Sequence, residues 1–141
     1  MKSGPIVMIE DDDDDKEIIV QVLNDLKVPN LVHWFISSSE AFKYLKETPE
    51  KPFLILCDVN LPGLSGIEFK KEIDSDPQLR KKSIPFVFYS TSIAQSAVDE
   101  AYIQMTVQGF FQKGDHYEEI KKTIDLIVSY WKVCRHPNSE Q

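Results

Sequence analysis

The chain has 141 residues, the length of one domain, and can bury a core without disulfide or metal staples. With 42% hydrophobic and 28% charged residues it lies among globular chains, outside the disordered and fibrous classes. Sixteen Lys+Arg against 23 Asp+Glu give a formal charge of −7, which repels DNA and anionic lipid, so neither nucleic acid nor membrane is expected as a partner.

Short apolar runs recur along the chain: Ile6–Ile9, Leu31–Ile36 (broken by His33), Phe53–Cys57, Phe86–Tyr89 and Phe110-Phe111. Strands without polar alternation suit a parallel sheet covered on both faces. None approaches the ~20 apolar residues needed to cross a bilayer, and Met1–Pro5 does not read as a signal peptide. Helical spacing fills the gaps. Ile18, Ile19, Val22, Leu23 and Leu26 form a first stripe, and Ala41, Phe42 and Leu45 a second. Ile67, Phe69 and Ile73 form a third, opened by the capping box Ser65–Glu68. Ala94, Ala97, Val98, Ala101 and Met105 form a fourth. A fifth helix opens at Asp115–Glu118 and is expected to run to about Arg135. Alternating strands and helices predict a small doubly wound α/β domain over residues 5–135, with 1–4 and 136–141 as flexible ends. Cys57 and Cys134 sit in apolar segments, so a reducing cytoplasm is expected and no disulfide.

What ends the strands is informative. The first runs into Glu10-Asp11, the third into Asp58, the fourth into Ser90-Thr91 and the fifth into Lys113. In an open parallel sheet the carboxyl ends share one edge, where ligands bind. Three carboxylates gathered there repel by roughly 4 kcal/mol per close pair at an effective dielectric near 20. Such a site calls for a cation, and all-oxygen ligation suits Mg²⁺. His33, His116 and His136 are scattered and form no rival cluster. A carboxylate beside a divalent ion and a lysine can attack phosphorus, because both cations neutralise the transferring phosphoryl group.

These residues resemble the receiver domain of bacterial two-component response regulators. The matching pieces are Ile9-Glu10-Asp11, Leu56–Gly66 with Asp58 and Asn60, Tyr89-Ser90-Thr91, and Gly109–Lys113. The resemblance implies a flavodoxin-like (βα)5 fold with strand order 2-1-3-4-5. It implies that Asp58 accepts a phosphoryl group from a sensor histidine kinase or a histidine phosphotransfer protein. Mg²⁺ would rest on Asp11, Asp58 and the Asn60 backbone carbonyl, with Glu10 reaching it through water. Lys113 would pair with the phosphoaspartate, while Ser90 and Phe110 relay the change to the fourth helix, fifth strand and fifth helix. A downstream protein target follows. The chain departs from the family pattern at Glu10 (more often Asp), Thr91 (more often Ala), Phe110 (often Tyr) and Gly114 (usually Pro, with a cis peptide). Asn60 and Ser92 flank the site and are expected to tune the phosphoryl lifetime.

Other features have plainer readings. Asp12–Asp15 open a helix, where negative charge suits the N-terminal dipole, and this explains them without function. A calcium loop counted from Asp11 would need Gly and Glu where Lys16 and Val22 stand. Arg80-Lys81-Lys82 reads as a basic surface loop. Tyr117, Ile120, Ile124, Ile127, Trp131 and Cys134 keep the period of a helix seam. Either all six pack on the sheet, or Tyr130, Trp131 and Cys134 overhang it and form a homodimer interface. The functional expectation is a stand-alone signalling switch, not an enzyme acting on other substrates. Two alternatives stay open: a phosphate-independent docking module, and a haloacid-dehalogenase-type phosphatase, which would want an aspartate at Asn60.

Overall fold

The computed structural model describes residues 4–91, 95–104 and 107–137. In chain order the elements are β1 (Ile6–Ile9), α1 (Asp13–Asp25), β2 (Val32–Phe35), α2 (Ser38–Glu47), β3 (Leu54–Cys57), α3 (Gly66–Ser75), α4 (Pro77–Lys82), β4 (Phe86–Ser90), α5 (Gln95–Gln104), β5 (Gly109–Gln112) and α6 (Tyr117–Val133). The strands form one parallel sheet in the order β2-β1-β3-β4-β5. This is the flavodoxin-like arrangement expected from the sequence.

The continuous apolar runs are explained by two-sided burial. Alternate residues of a strand face opposite sides. Val7, Ile9, Ile55, Cys57, Phe86 and Phe88 therefore join α2, α3 and α4 in one core layer. Ile6, Met8, Leu54, Leu56, Val87 and Tyr89 join α1 and α6 in the other. The register pairs Ile9 with Phe35 and Cys57, and Ser90 with Gln112, so the carboxyl ends finish level. Local signals set the helix starts. The Asp12 carboxylate accepts from the N–H groups of Asp14 and Asp15, and Ser65 with Glu68 forms the expected capping box.

Four expectations are corrected. Arg80–Lys82 belong to a helix and not a loop. Asp76 caps α4, Pro77 occupies its first position, and the basic residues fill its last turn, each favourable there. Leu31 and Ile36 lie outside β2 and are exposed, since β2 is an edge strand whose four residues are themselves only half-buried. His136 is no flexible end. It is 2% exposed, its Nε2 donates to the Phe53 carbonyl at 2.6 Å, and its ring stacks on Phe53 at 5.4 Å. Finally, Trp131 is buried and Cys134 half-buried against their own sheet. All six seam residues pack inward, and α6 instead exposes Leu126, Tyr130 and Val133. Ala94 and Met105 lie outside the described residues. Among the described residues no helix is long and apolar enough to cross a membrane.

Candidate functional site

The level carboxyl edge brings Glu10 and Asp11 from the end of β1 beside Asp58 from the end of β3. Their carboxylate oxygens lie within 4.8 Å of one another. Glu10 and Asp58 are buried and Asp11 is exposed, so the cluster opens to solvent on one side. From the end of β4, the Ser90 hydroxyl donates to Asp58 Oδ1 at 2.5 Å. The Asn60 N–H reaches the same oxygen at 3.1 Å. Beyond β5, Lys113 Nζ donates to Asp58 Oδ2 at 3.2 Å and to Glu10 Oε1 at 2.5 Å. The structure thus brings Glu10, Asp11, Asp58, Ser90 and Lys113 together from four strands.

Two glycines make room for this edge. Gly63 takes a φ of +72°, which lets the chain after Asp58 turn back. A Cβ on Gly66 would run into the Asp58 carbonyl oxygen, so only glycine lets α3 start this close to β3.

Crowding governs the charges. Burial pushes the Glu10 carboxyl up to about 8, reinforced by the nearby Asp58 charge and opposed by Lys113. Burial also acts against ionised Asp58, but the Ser90 hydroxyl, the Lys113 ammonium and the Asn60 N–H together hold it below the ordinary aspartate value. For Lys113, burial opposes the charge and the Glu10 and Asp58 carboxylates outweigh it, so its affinity for the proton rises. Cys57, fully buried beside the acids, has its thiol pushed up by desolvation first and is a packed apolar group, as expected. The donor set Glu10, Asp11 and Asp58 is all hard oxygen, open on the Asp11 side, and carries more negative charge than Lys113 balances. These residues fit a divalent cation.

Three observations go beyond the sequence reading. Asp15 does more than favour the α1 terminus: its carboxylate accepts from Lys113 Nζ at 3.0 Å. A helical residue leans toward the helix N-terminus, so a position one turn past Asp11 overhangs the rim; that offset was the available signal. The Trp34 indole N–H on β2 donates to the Glu10 carbonyl at 2.7 Å, a contact no pattern announced. A small cavity of about 40 Å³ lies beside Lys113, walled by Asp15, Tyr89, Thr91 and Gly114 and by Ile18, Ile19 and Ile120. Phe110 is half-buried with its ring 4.9 Å from Phe88, on the α2–α4 side of the sheet. Among the described residues no peptide is cis, Lys113–Gly114 included. Ser92 lies outside the described residues.

A doubly wound α/β domain with buried acids, a hydroxyl and a lysine converging on its carboxyl edge is the class that fold and site define. Residues 6–125 match the response regulator receiver domain family, and the chain belongs to it. It is 28% identical over 131 residues to the response regulator Rcp1 of Synechocystis sp., spanning 89% of this chain and 87% of Rcp1. The crystal structure of the phosphorylated cyanobacterial phytochrome response regulator RcpA superposes with a TM-score of 0.86 at 30% identity, covering 96% of this chain and 99% of that one. The Mn²⁺-bound form of Rcp1 gives 0.83 at 26% identity, covering 96% and 99%.

Proposed function

We propose that the protein is a phosphorylation-dependent signalling switch of the cytoplasm in which Asp58 is the phosphoacceptor. The observation that carries this reading is the convergence on one buried carboxylate of a hydroxyl at 2.5 Å and an ammonium at 3.2 Å, beside two further acids. The donor is a phosphohistidine on a sensor kinase or a phosphotransfer protein. An Asp58 oxygen attacks phosphorus, the P–N bond breaks, and the leaving imidazole takes a proton from solvent. Lys113 and Ser90 meet the phosphoryl oxygens with charge-assisted hydrogen bonds. Mg²⁺ would be held by Glu10, Asp11, Asp58 and the Asn60 carbonyl, and when bound it supplies positive charge against the transferring group. RcpA in a phosphorylated form and Rcp1 with Mn²⁺ support this assignment by likeness.

The added charge of about −1.5 to −2 draws Ser90 and Lys113 toward the new group. Phe110, packed on Phe88 two strands from the acceptor, passes that shift to the α5–β5–α6 surface, where a downstream protein reads it. Incubation with Mg²⁺ and a small acyl phosphate should yield one base-labile adduct by intact mass. The adduct should be absent in Asp58→Asn; its persistence there would place the acceptor elsewhere.

A further inference from the structure

Lys113 Nζ has three carboxylate partners: Glu10 at 2.5 Å, Asp15 at 3.0 Å and Asp58 at 3.2 Å. An ammonium carries three hydrogens, so each is already committed. The proposed acceptor is the most distant of the three. A phosphoryl group on Asp58 can therefore gain more than the one hydrogen Lys113 already gives that residue only by drawing Lys113 from another acid. Glu10 is buried deep among the cluster, its side chain 3% exposed. Asp15 is different. Its side chain is 35% exposed, it stands on α1 and not at a strand end, and it lies outside the cluster of acids suited to a cation. Its place is fixed locally, because the Asp12 cap holds the Asp15 N–H at 3.1 Å and sets the first turn of α1.

We propose that Asp15 is a positioning residue that competes with phosphorylated Asp58 for the Lys113 ammonium, and so sets how tightly the switch holds its phosphorylated state. Whatever attraction Lys113 forfeits by leaving Asp15 is subtracted from its attraction to the phosphoryl group. Asp15 thereby lowers the affinity of the site for phosphoryl oxygens, and its removal releases one ammonium hydrogen to them. The contact also ties α1 to the end of β5, so phosphorylation loosens that tie. This inference rests on Asp58 being the phosphoacceptor.

The test is beryllofluoride binding, as a phosphoryl mimic, to the full chain at saturating Mg²⁺, read by the change in tryptophan fluorescence, to which Trp34 contributes at the site through its indole bond to the Glu10 carbonyl and Trp131 adds a distant background. For a partly exposed ion pair the expected tightening in Asp15→Asn is roughly three- to fivefold at low salt. The gain should vanish toward about 1 M salt, where the screening length is ~3 Å. Asp15→Glu should restore affinity close to that of the unaltered protein. Asp14→Asn removes the same charge from the same exposed turn, from a carboxylate that is not a Lys113 partner, and should leave affinity unchanged. An Asp15→Asn affinity equal to or weaker than the unaltered protein's, a salt-independent gain, or the same gain in Asp14→Asn would overturn the proposal while leaving Asp58 as acceptor. No mimic binding by the unaltered protein overturns both. Asp15→Ser, which keeps a polar oxygen in the first helical turn, replaces Asp15→Asn if circular dichroism shows that variant unfolded.

Discussion

The two ends of the sheet are built from opposite materials. At the carboxyl end, Glu10, Asp58 and Lys113 lie buried together with Asp11 and Asp15 at the margin. Around Phe53 at the amino end the polar groups are mostly neutral and matched. The Phe53 N–H donates to the Pro5 carbonyl at 2.8 Å, Asn30 Nδ2 to the Gly4 carbonyl at 2.7 Å, and His136 to the Phe53 carbonyl. Lys132 donates to Asn30 Oδ1 and lies over the Phe53 ring at 4.8 Å, and further along this end Lys70, paired with Asp74 at 2.8 Å, lies over the Phe86 ring at 4.9 Å. The amino end is held by burial, by neutral hydrogen bonds and by charges that are paired or lie over aromatic rings. The other holds acids that a fold would shed unless something else needed them. Stability and function are thus separated along the strands, and substitutions at the two ends should have different signatures.

The largest stability effect is expected at the amino end. Phe53 is fully buried, with His136 stacked on it and Lys132 above it. Phe53→Ala should cost about 3–5 kcal/mol in urea unfolding. If the protein still folds, mimic binding at the far edge should be unchanged. A loss of binding at full folding would break the separation.

The next effect belongs to the acidic end and depends on pH. Glu10 holds its proton up to about 8 in the folded chain, against 4.5 for the ordinary carboxyl. Between those values the unfolded chain has released the proton and the folded chain keeps it. The unfolded state therefore binds fewer protons, and Glu10 makes stability fall as pH rises from 4.5 to 8. Glu10→Gln, which imitates the protonated form, should remove this slope. In chelator the variant should gain on the order of 2–4 kcal/mol relative to the unaltered protein between pH 5 and pH 9, measured by urea unfolding. Mg²⁺ at pH 9 should raise the melting temperature of the unaltered protein and have less effect on the variant. Equal pH slopes would show that Glu10 is ionised throughout and that crowding does not govern this end.

How much of this was legible follows the same division. The sheet and its acidic edge were readable because each strand announces itself by an apolar run and each site residue is the first or second polar residue after one. Asp58, Ser90 and Lys113 could be placed on one rim without any knowledge of packing. Asp15 was hidden in the stretch Asp12–Asp15, in which helix-terminal charge was sufficient reason for each. Only the Lys113 contact distinguishes it from Asp14. The amino end was largely illegible. His136 follows a helix, in a stretch without periodicity, and its burial depends on Phe53, 83 positions earlier. Trp131 was ambiguous for a related reason: a 3-4 spacing describes a seam without naming its partner, which proved to be the chain's own sheet.

His136 offers the smallest and most discriminating test of the comparison. A carbonyl can only accept, so the bond to Phe53 requires the ring to carry its hydrogen on Nε2. His136→Ala removes that bond and the stacked ring, and leaves the Phe53 carbonyl in need of a donor. Water can reach the vacated place, because His136 lies just beyond the end of α6, next to exposed Arg135 and Pro137. The cost should accordingly be about 1–2 kcal/mol, near the worth of one hydrogen bond with modest burial and below that of a core cavity. His136→Gln retains an amide donor and should recover part of it, whereas His136→Phe keeps the stacking but not the donor. If Phe recovers more than Gln, the latch is chiefly aromatic; if Gln recovers more, it is chiefly the hydrogen bond. In neither variant should the dissociation constant for beryllofluoride change by more than about the factor of 2 that lies within ±0.5 kcal/mol. A larger shift would mean that the two ends of the sheet are coupled through β3, which links Phe53 to Asp58 by four buried residues.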